Sequence, residues 1–160
     1  MKELLPHAEK VAALLKARNE TITVAESSTG GLIAAALLAV PGASAYFKGG
    51  SVLYTRNAVL KLLNIEESRI KEHRSSEAYT LLRGQLMRER LDSTWAVSEA
   101  GTAGPTGSRY GWPAGHTFIA VSGPIERTAT IQTGKDDRVQ NMYAFATAAL
   151  TLLLEVLQKR

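Results

Sequence analysis

Ser27, Ser28 and Thr29 stand together at the end of a β-branched run, and Gly30 and Gly31 follow them directly before an apolar, helix-forming stretch. Hydroxyls at a helix N-terminus meet backbone N–H groups without intrahelical acceptors, together with roughly half a positive charge from the aligned peptide dipoles. That combination suits a phosphate or a developing oxyanion, and a serine placed there can attack an acyl carbon. Gly30 and Gly31 leave the backbone open to close approach by a ligand. The plainer reading is a single N-cap hydroxyl, worth about 1 kcal/mol to the helix. Three hydroxyls and two glycines are more than a cap requires.

A second candidate is the run Gly101-Thr102-Ala103-Gly104-Pro105-Thr106-Gly107, which offers Thr102 and Thr106 as donors where a strand ends. Loops at strand ends are where α/β sheets bind ligands, although a plain surface loop accounts for the composition equally well. The spacing G-x-x-G-x-x-G is not the dinucleotide fingerprint, and no Lys-Ser/Thr pair completes a Walker loop. Arg109, Lys135 and Arg138 are the basic residues nearest glycine-rich turns and could meet a phosphate; each alone also reads as a solvated surface charge. His7, His73 and His116 are scattered, and neither HExxH nor a paired-carboxylate motif occurs, so zinc hydrolysis and two-carboxylate glycoside chemistry have no support and no metal site is expected.

The elements that must position these groups alternate in type. Residues 4 to 18 put Ala8, Val11, Ala12 and Leu15 on one helical face, and Thr21 to Ala25 then reads as a buried strand. Leu32 to Val40 is a helix apolar nearly all round, which predicts packing between layers, and Pro41-Gly42 closes it. Tyr46 to Thr55 reads as a strand whose Gly49-Gly50 pair suggests a bulge. A short helix over Asn57 to Leu63 is expected to turn Ala58, Leu62 and Leu63 inward. Ser75 or Ser76 caps a helix to Leu91 with Ala78, Leu81, Leu82 and Leu86 as its inner face. Trp95 to Val97 opens a strand that the glycine-rich run ends, and strands follow at Thr117 to Val121 and Thr128 to Thr133. A last helix carries Val139, Met142, Tyr143, Ala146, Leu150, Leu153 and Leu157 on one stripe. This order implies a mixed sheet between helices.

At 160 residues, 45% hydrophobic, the chain has the size of one conventional domain with a core of its own. The absence of cysteine excludes disulfide scaffolds, iron–sulfur clusters and thiolate nucleophiles. The longest apolar stretch, Leu32 to Val40, is half of a membrane span, and the N-terminus lacks a secretory h-region, so a cytoplasmic, unprocessed protein is expected. A net charge of +4 is too small and too scattered to predict nucleic-acid binding.

The segments TVAESSTGGLIAAALLAVPGASAYFKGGSVLYT, HRSSEA, SEAGTAGPTG, WPAGHTFIAV and TGKDDRVQNM resemble, in order and nearly in spacing, the C-terminal domain of the competence/damage-inducible protein CinA. Stand-alone members of that family are nicotinamide-nucleotide amidohydrolases. The resemblance implies a single domain over residues 1–160, folded as a three-layer α/β/α sandwich with a mixed, mostly parallel sheet of about five strands. It implies that CinA's N-terminal domain is absent. It implies hydrolysis of the carboxamide of nicotinamide mononucleotide to nicotinic acid mononucleotide and ammonia, without metal or organic cofactor. The partners implied are a small nucleotide substrate and a second copy in a homodimer, with no nucleic acid and no membrane.

Matched to the family's motifs, the serine nucleophile falls on Ser27, the family's neighbouring cysteine is Ser28 here, and its tyrosine falls on Tyr54. Ser28, Thr29, Gly30, Gly31, Gly101, Thr102, Ala103, Gly104 and Arg138 are the implied substrate-binding positions, and Ser27, Tyr54 and Lys61 the catalytic ones. One departure bears on the chemistry: the lysine that follows the tyrosine by five residues, and serves as base, is Val59 here. Lys61 is the nearest substitute, although two residues along a helix is a rotation of about 200°. Arg56 stays protonated and can bind an anion without acting as a base. Trp112 stands where the family often has lysine, and its ring could stack on a base or a nicotinamide. Three readings follow: a working amidohydrolase, a catalytically impaired nucleotide-binding or regulatory relative, and an amidase of different substrate.

Overall fold

The structure, a computed structural model, describes residues 1–71 and 75–160. The elements, in chain order, are α1 (Leu5–Arg18), β1 (Ile22–Glu26), α2 (Leu32–Leu38), β2 (Phe47–Val52), α3 (Arg56–Leu63), α4 (Ser68–Lys71), α5 (Glu77–Arg90), β3 (Trp95–Thr102), β4 (His116–Ser122), β5 (Arg127–Gln132) and α6 (Arg138–Gln158). They build one sheet in the order β2-β1-β3-β4-β5. Strand β1 pairs in parallel with β2 and β3, whereas β4 is antiparallel to both of its neighbours, so only β4 runs against the rest. The register slips between Ile22 and Thr23 opposite Gly49, the irregularity that the glycine pair predicts.

Helices α1, α2 and α6 cover one face of the sheet around a cluster that includes Leu15, Ile33, Val97, Ile119, Leu150 and Leu153. Helices α3 and α5 cover the other face, where Ala25, Leu53, Val59, Leu63, Ile70 and Met87 form a smaller cluster. Covered on both sides, β1 is buried along its whole length. The fold is therefore the three-layer α/β sandwich that the sequence implies, at Ala8, Val11, Ala12 and Leu15 down to the inward residues of α1.

Several expectations about faces are corrected. Helix α2 lies in an outer layer, buries Ile33, Ala36 and Leu37, and leaves Leu38 56% exposed. Strand β2 stops at Val52. On α3, Val59 and Leu63 face inward and Leu62 faces solvent, because Thr55 caps the helix by accepting from the Ala58 N–H and so fixes its rotation. On α5, capped by Ser76, the buried stripe is Thr80, Arg83, Gly84 and Met87, with Ala78 exposed. Strand β3 runs on through Gly101 and Thr102, since β4 continues to pair with it as far as His116. Val139 on α6 is exposed, and Asn141 takes a buried place. By length and composition α6 is apolar enough to cross a membrane, but its buried residues pack on the sheet and on α1 and α2.

Candidate active site

Strands β1 and β2 end side by side while β3 runs on beside them to Thr102, and a cavity of about 840 Å³ opens at these C-terminal ends, the usual ligand position of an open α/β sheet. Ser27, Gly101 and Thr102 form its sheet end, Tyr54, Arg56 and Val59 come from the β2–α3 junction, Tyr79 and Arg83 from α5, and Arg109 and Tyr110 from the β3–β4 loop. A groove of similar volume lies between residues 1–3 and the start of α6. It holds none of the hydroxyl cluster, and it takes Lys135 away from the cavity.

Two buried carboxylates organise the turn after β1. Glu99, fully buried on β3, accepts from the backbone N–H of Ser27 at 3.1 Å and of Thr29 at 3.0 Å. It also accepts from the hydroxyls of Ser28 at 2.5 Å, Thr29 at 3.0 Å and Thr117 at 2.9 Å. Glu26 turns the other way and accepts from the N–H groups of Gly31, Ile33 and Ala34, capping α2 with a negative charge. Burial pushes the Glu26 carboxyl up from its usual range, the Ala34 and Ile33 hydrogen bonds pull it down, and nearby Glu99 adds to the rise. These bonds correct one expectation: the N–H groups at the α2 terminus that could have met a phosphate are already taken by Glu26. Ser28 and Thr29 are likewise held below the cavity floor by Glu99, so Ser27 is the hydroxyl of the three that lines the cavity.

Gly30 and Gly31 do not line the cavity; their φ angles of 63° and 101° make the turn into α2. Gly101 is demanded by crowding, since a Cβ there would lie 2.6 Å from Thr117 Oγ1 and 2.8 Å from Ser28 Oγ. Ala103 and Gly104 anchor the loop: their carbonyls accept from Asn141 Nδ2 at 2.8 Å and from Arg138 Nη1 at 2.7 Å. Arg138 also donates to the Tyr54 hydroxyl at 3.1 Å and so ties the β3–β4 loop to the β2–α3 junction, without lining the cavity itself. Lys61 is exposed on α3 and lies outside the cavity lining, while Val59, 2% exposed, is part of it. Trp112 also lies outside the lining. It stacks on His116 at 4.2 Å and donates to the Ser75 carbonyl, and burial pushes the His116 imidazole below its usual value. His7 is on α1, and His73 lies outside the described residues.

Arg83, like Tyr79 beside it, is a cavity residue that sequence reasoning missed. It is 2% exposed, and its Nη2 donates to the carbonyls of Glu26 at 3.0 Å and Leu53 at 3.1 Å, the residues just before Ser27 and Tyr54. Burial pushes its guanidinium below the ordinary value, and Tyr79 and Glu99 push it back up. The available signal was spacing: Thr80, Arg83, Gly84 and Met87 form an i, i+3, i+4, i+7 stripe that an apolar-only search of α5 passes over. Glu26 and Glu99 were legible as carboxylates inside otherwise apolar strands, where each needs donors to be tolerated.

Comparison with known proteins agrees with this architecture. The family model described as "CinA C-terminal domain" matches residues 5–157. A "CinA-like protein" of Salinibacter ruber is 40% identical over 137 residues, covering 85% of this chain and 33% of that protein. Another from Desulforapulum autotrophicum is 34% identical over 154 residues, covering 95% and 36%. The chain thus spans about a third of the length of the curated relatives it matches. Among solved structures, a CinA superfamily protein from Klebsiella pneumoniae superposes with a TM-score of 0.91 at 27% identity, covering 98% of this chain and 99% of that one. The Escherichia coli superfamily protein gives 0.89 at 26%, covering 96% and 90%.

Proposed function

Because the chain belongs to the CinA C-terminal domain family, we propose that its cavity binds nicotinamide mononucleotide and that Ser27 attacks the carboxamide carbon, releasing ammonia and leaving nicotinic acid mononucleotide. The observation that carries the reading is the placement of Ser27, whose hydroxyl makes no hydrogen bond among the described residues, just past the end of a parallel strand in a cavity walled by Arg56, Arg83 and Arg109 and by Tyr54, Tyr79 and Tyr110. The exposed guanidiniums of Arg56 and Arg109 match a nucleotide's phosphate, and tyrosine rings match its base. In the reaction Ser27 Oγ bonds to the carbonyl carbon, the C–N bond breaks as the nitrogen leaves as ammonia, and water then cleaves the resulting ester to the acid. The Ser28 N–H, next after the nucleophile, is the backbone donor nearest in sequence to the developing oxyanion. Among the described residues it has no acceptor. A homodimer and a cytoplasmic location belong to the same reading.

A second reading is favoured by one observation: the position of the family's lysine is Val59, and no lysine lines the cavity among the described residues. Without a base, serine is a weak nucleophile, and the chain would act as a nucleotide-binding or regulatory relative. The test is ammonia release from nicotinamide mononucleotide at high protein concentration, beside Ser27→Ala. Turnover that falls by about a hundredfold or more in the variant supports the amidohydrolase. Equal background rates, with the nucleotide still raising the melting temperature, support the binding reading.

A further inference from the structure

Arg83 is a buried cation whose hydrogen bonding is incomplete. Of its five N–H donors, Nη2 uses two on the carbonyls of Glu26 and Leu53, and Nε has no partner among the described residues although it is sealed from solvent. Among the described residues Nη1 likewise makes no hydrogen bond, and no carboxylate of those residues lies within ion-pair distance of Arg83. Its carboxylate neighbours are already committed, Glu99 to the Ser27–Thr29 turn and Thr117, and Glu26 to the α2 N-terminus. The other two guanidiniums of the cavity differ in kind. Arg56 is 41% exposed and paired with Glu67 at 2.5 Å, and Arg109 is exposed and leans on Tyr110.

Nε is sealed off, but Nη1 is not among the sealed atoms and Arg83 lines the cavity, so an anionic oxygen from a ligand can complete this guanidinium there. Its place decides which anion. Arg83 grips the carbonyls immediately before Ser27 and Tyr54, so it stands at the inner, reacting end of the cavity, where a ring substituent lies, and the exposed Arg56 and Arg109 are left for the phosphate. We infer that Arg83 is the specificity-determining residue of this cavity and that it selects a pyridine nucleotide bearing a ring carboxylate over the same nucleotide bearing a neutral carboxamide. The inference rests on the reading that a nicotinamide-type nucleotide occupies the cavity. It makes the acid the tighter ligand: a strongly held product if the chain is an amidohydrolase, and the recognised species if it is a binding relative.

Isothermal titration calorimetry of the wild-type chain with nicotinic acid mononucleotide and with nicotinamide mononucleotide, at one ionic strength, tests this directly. The acid is expected to bind about tenfold or more tighter than the amide, since a carboxylate meets the guanidinium with an opposite charge and two acceptor oxygens, and the amide offers one neutral acceptor. In Arg83→Met the ratio of acid to amide affinity should fall to about one, and Arg83→Lys should recover part of it. Circular dichroism shows whether each variant is folded, and the wild-type ratio needs no variant at all. Equal wild-type affinities overturn the inference and leave the nucleotide reading standing. Loss of acid and amide together in a folded Arg83→Met chain puts the phosphate on Arg83 and also overturns it. Binding of neither nucleotide to the wild type overturns the inference and the nucleotide reading together.

Discussion

Val59 is where a single side chain separates chemistry from binding. It is buried and lines the cavity beside Ser27 and Arg83, so its position on α3 faces the site and that of Lys61 does not. A lysine at 59 would lie among apolar neighbours and near a second cation, and both lower an ammonium's pKa toward the value a general base needs at neutral pH. Val59→Lys should therefore raise Ser27-dependent ammonia release by about a hundredfold over wild type, at some cost in melting temperature, measured with Val59→Met as a size control. A folded, nucleotide-binding Val59→Lys chain without gain would mean that the lysine nitrogen cannot reach Ser27 Oγ. Ser27, Tyr54, Gly101 and Thr102 were legible as cavity residues because the motif names them. Ser28, Gly31 and Ala103 were legible only as neighbours: sequence shows that a hydroxyl or N–H is present, and not that Glu99, Glu26 or Asn141 has already engaged the group beside the cavity.

At the scale of elements, α5 carries most of what periodicity misjudged. Its inner stripe is held by more than apolar packing: Arg83 reaches β1 and the end of β2, Ser98 Oγ donates to the Thr80 carbonyl at 2.6 Å, and Gly84 lets the helix lie close against that serine. The helix start is pinned to β5 by Glu77, which accepts from the hydroxyls of Thr128 at 2.5 Å and Thr130 at 2.6 Å. Those bonds hold the Glu77 carboxyl below the usual carboxylate range, against a smaller opposing effect of burial. A carboxyl lowered in the folded state contributes stability above its unfolded value, and that stability is lost as pH falls through the lowered folded value. Glu26, raised by burial, contributes with the opposite sign and is untouched by a change at 77. Melting temperatures taken from roughly pH 6 to pH 3 should therefore fall less steeply for Glu77→Gln than for wild type, and the two curves should converge at the acid end. Parallel curves would mean that the Glu77 link adds nothing in solution.

Across the whole molecule the two helical layers are unequal. The layer of α1, α2 and α6 shares one large apolar cluster with the sheet, whereas α3 and α4 rest on a small one whose edge is the cavity itself. The alternation of helix and strand was readable from the sequence, and so was the mixed sheet; the inequality was not, because it depends on which face each helix buries: α3 and α5 each turned a different face from the one expected, and α2, expected to be covered all round, exposes one. Opening of α3 exposes little apolar surface and breaks no sheet pairing, so it should require less free energy than opening of α6. Native-state hydrogen exchange is expected to release the α3 amides about tenfold or more faster than those at the centre of α6. Because Arg56 and Val59 of α3 line the cavity, a nucleotide bound there should slow exchange in α3 and leave the central α6 amides at the rate of global unfolding or below. Equal protection of both helices without ligand would show that the two layers unfold as one cooperative unit, and the smaller cluster would then draw its stability from the sheet rather than from its own packing.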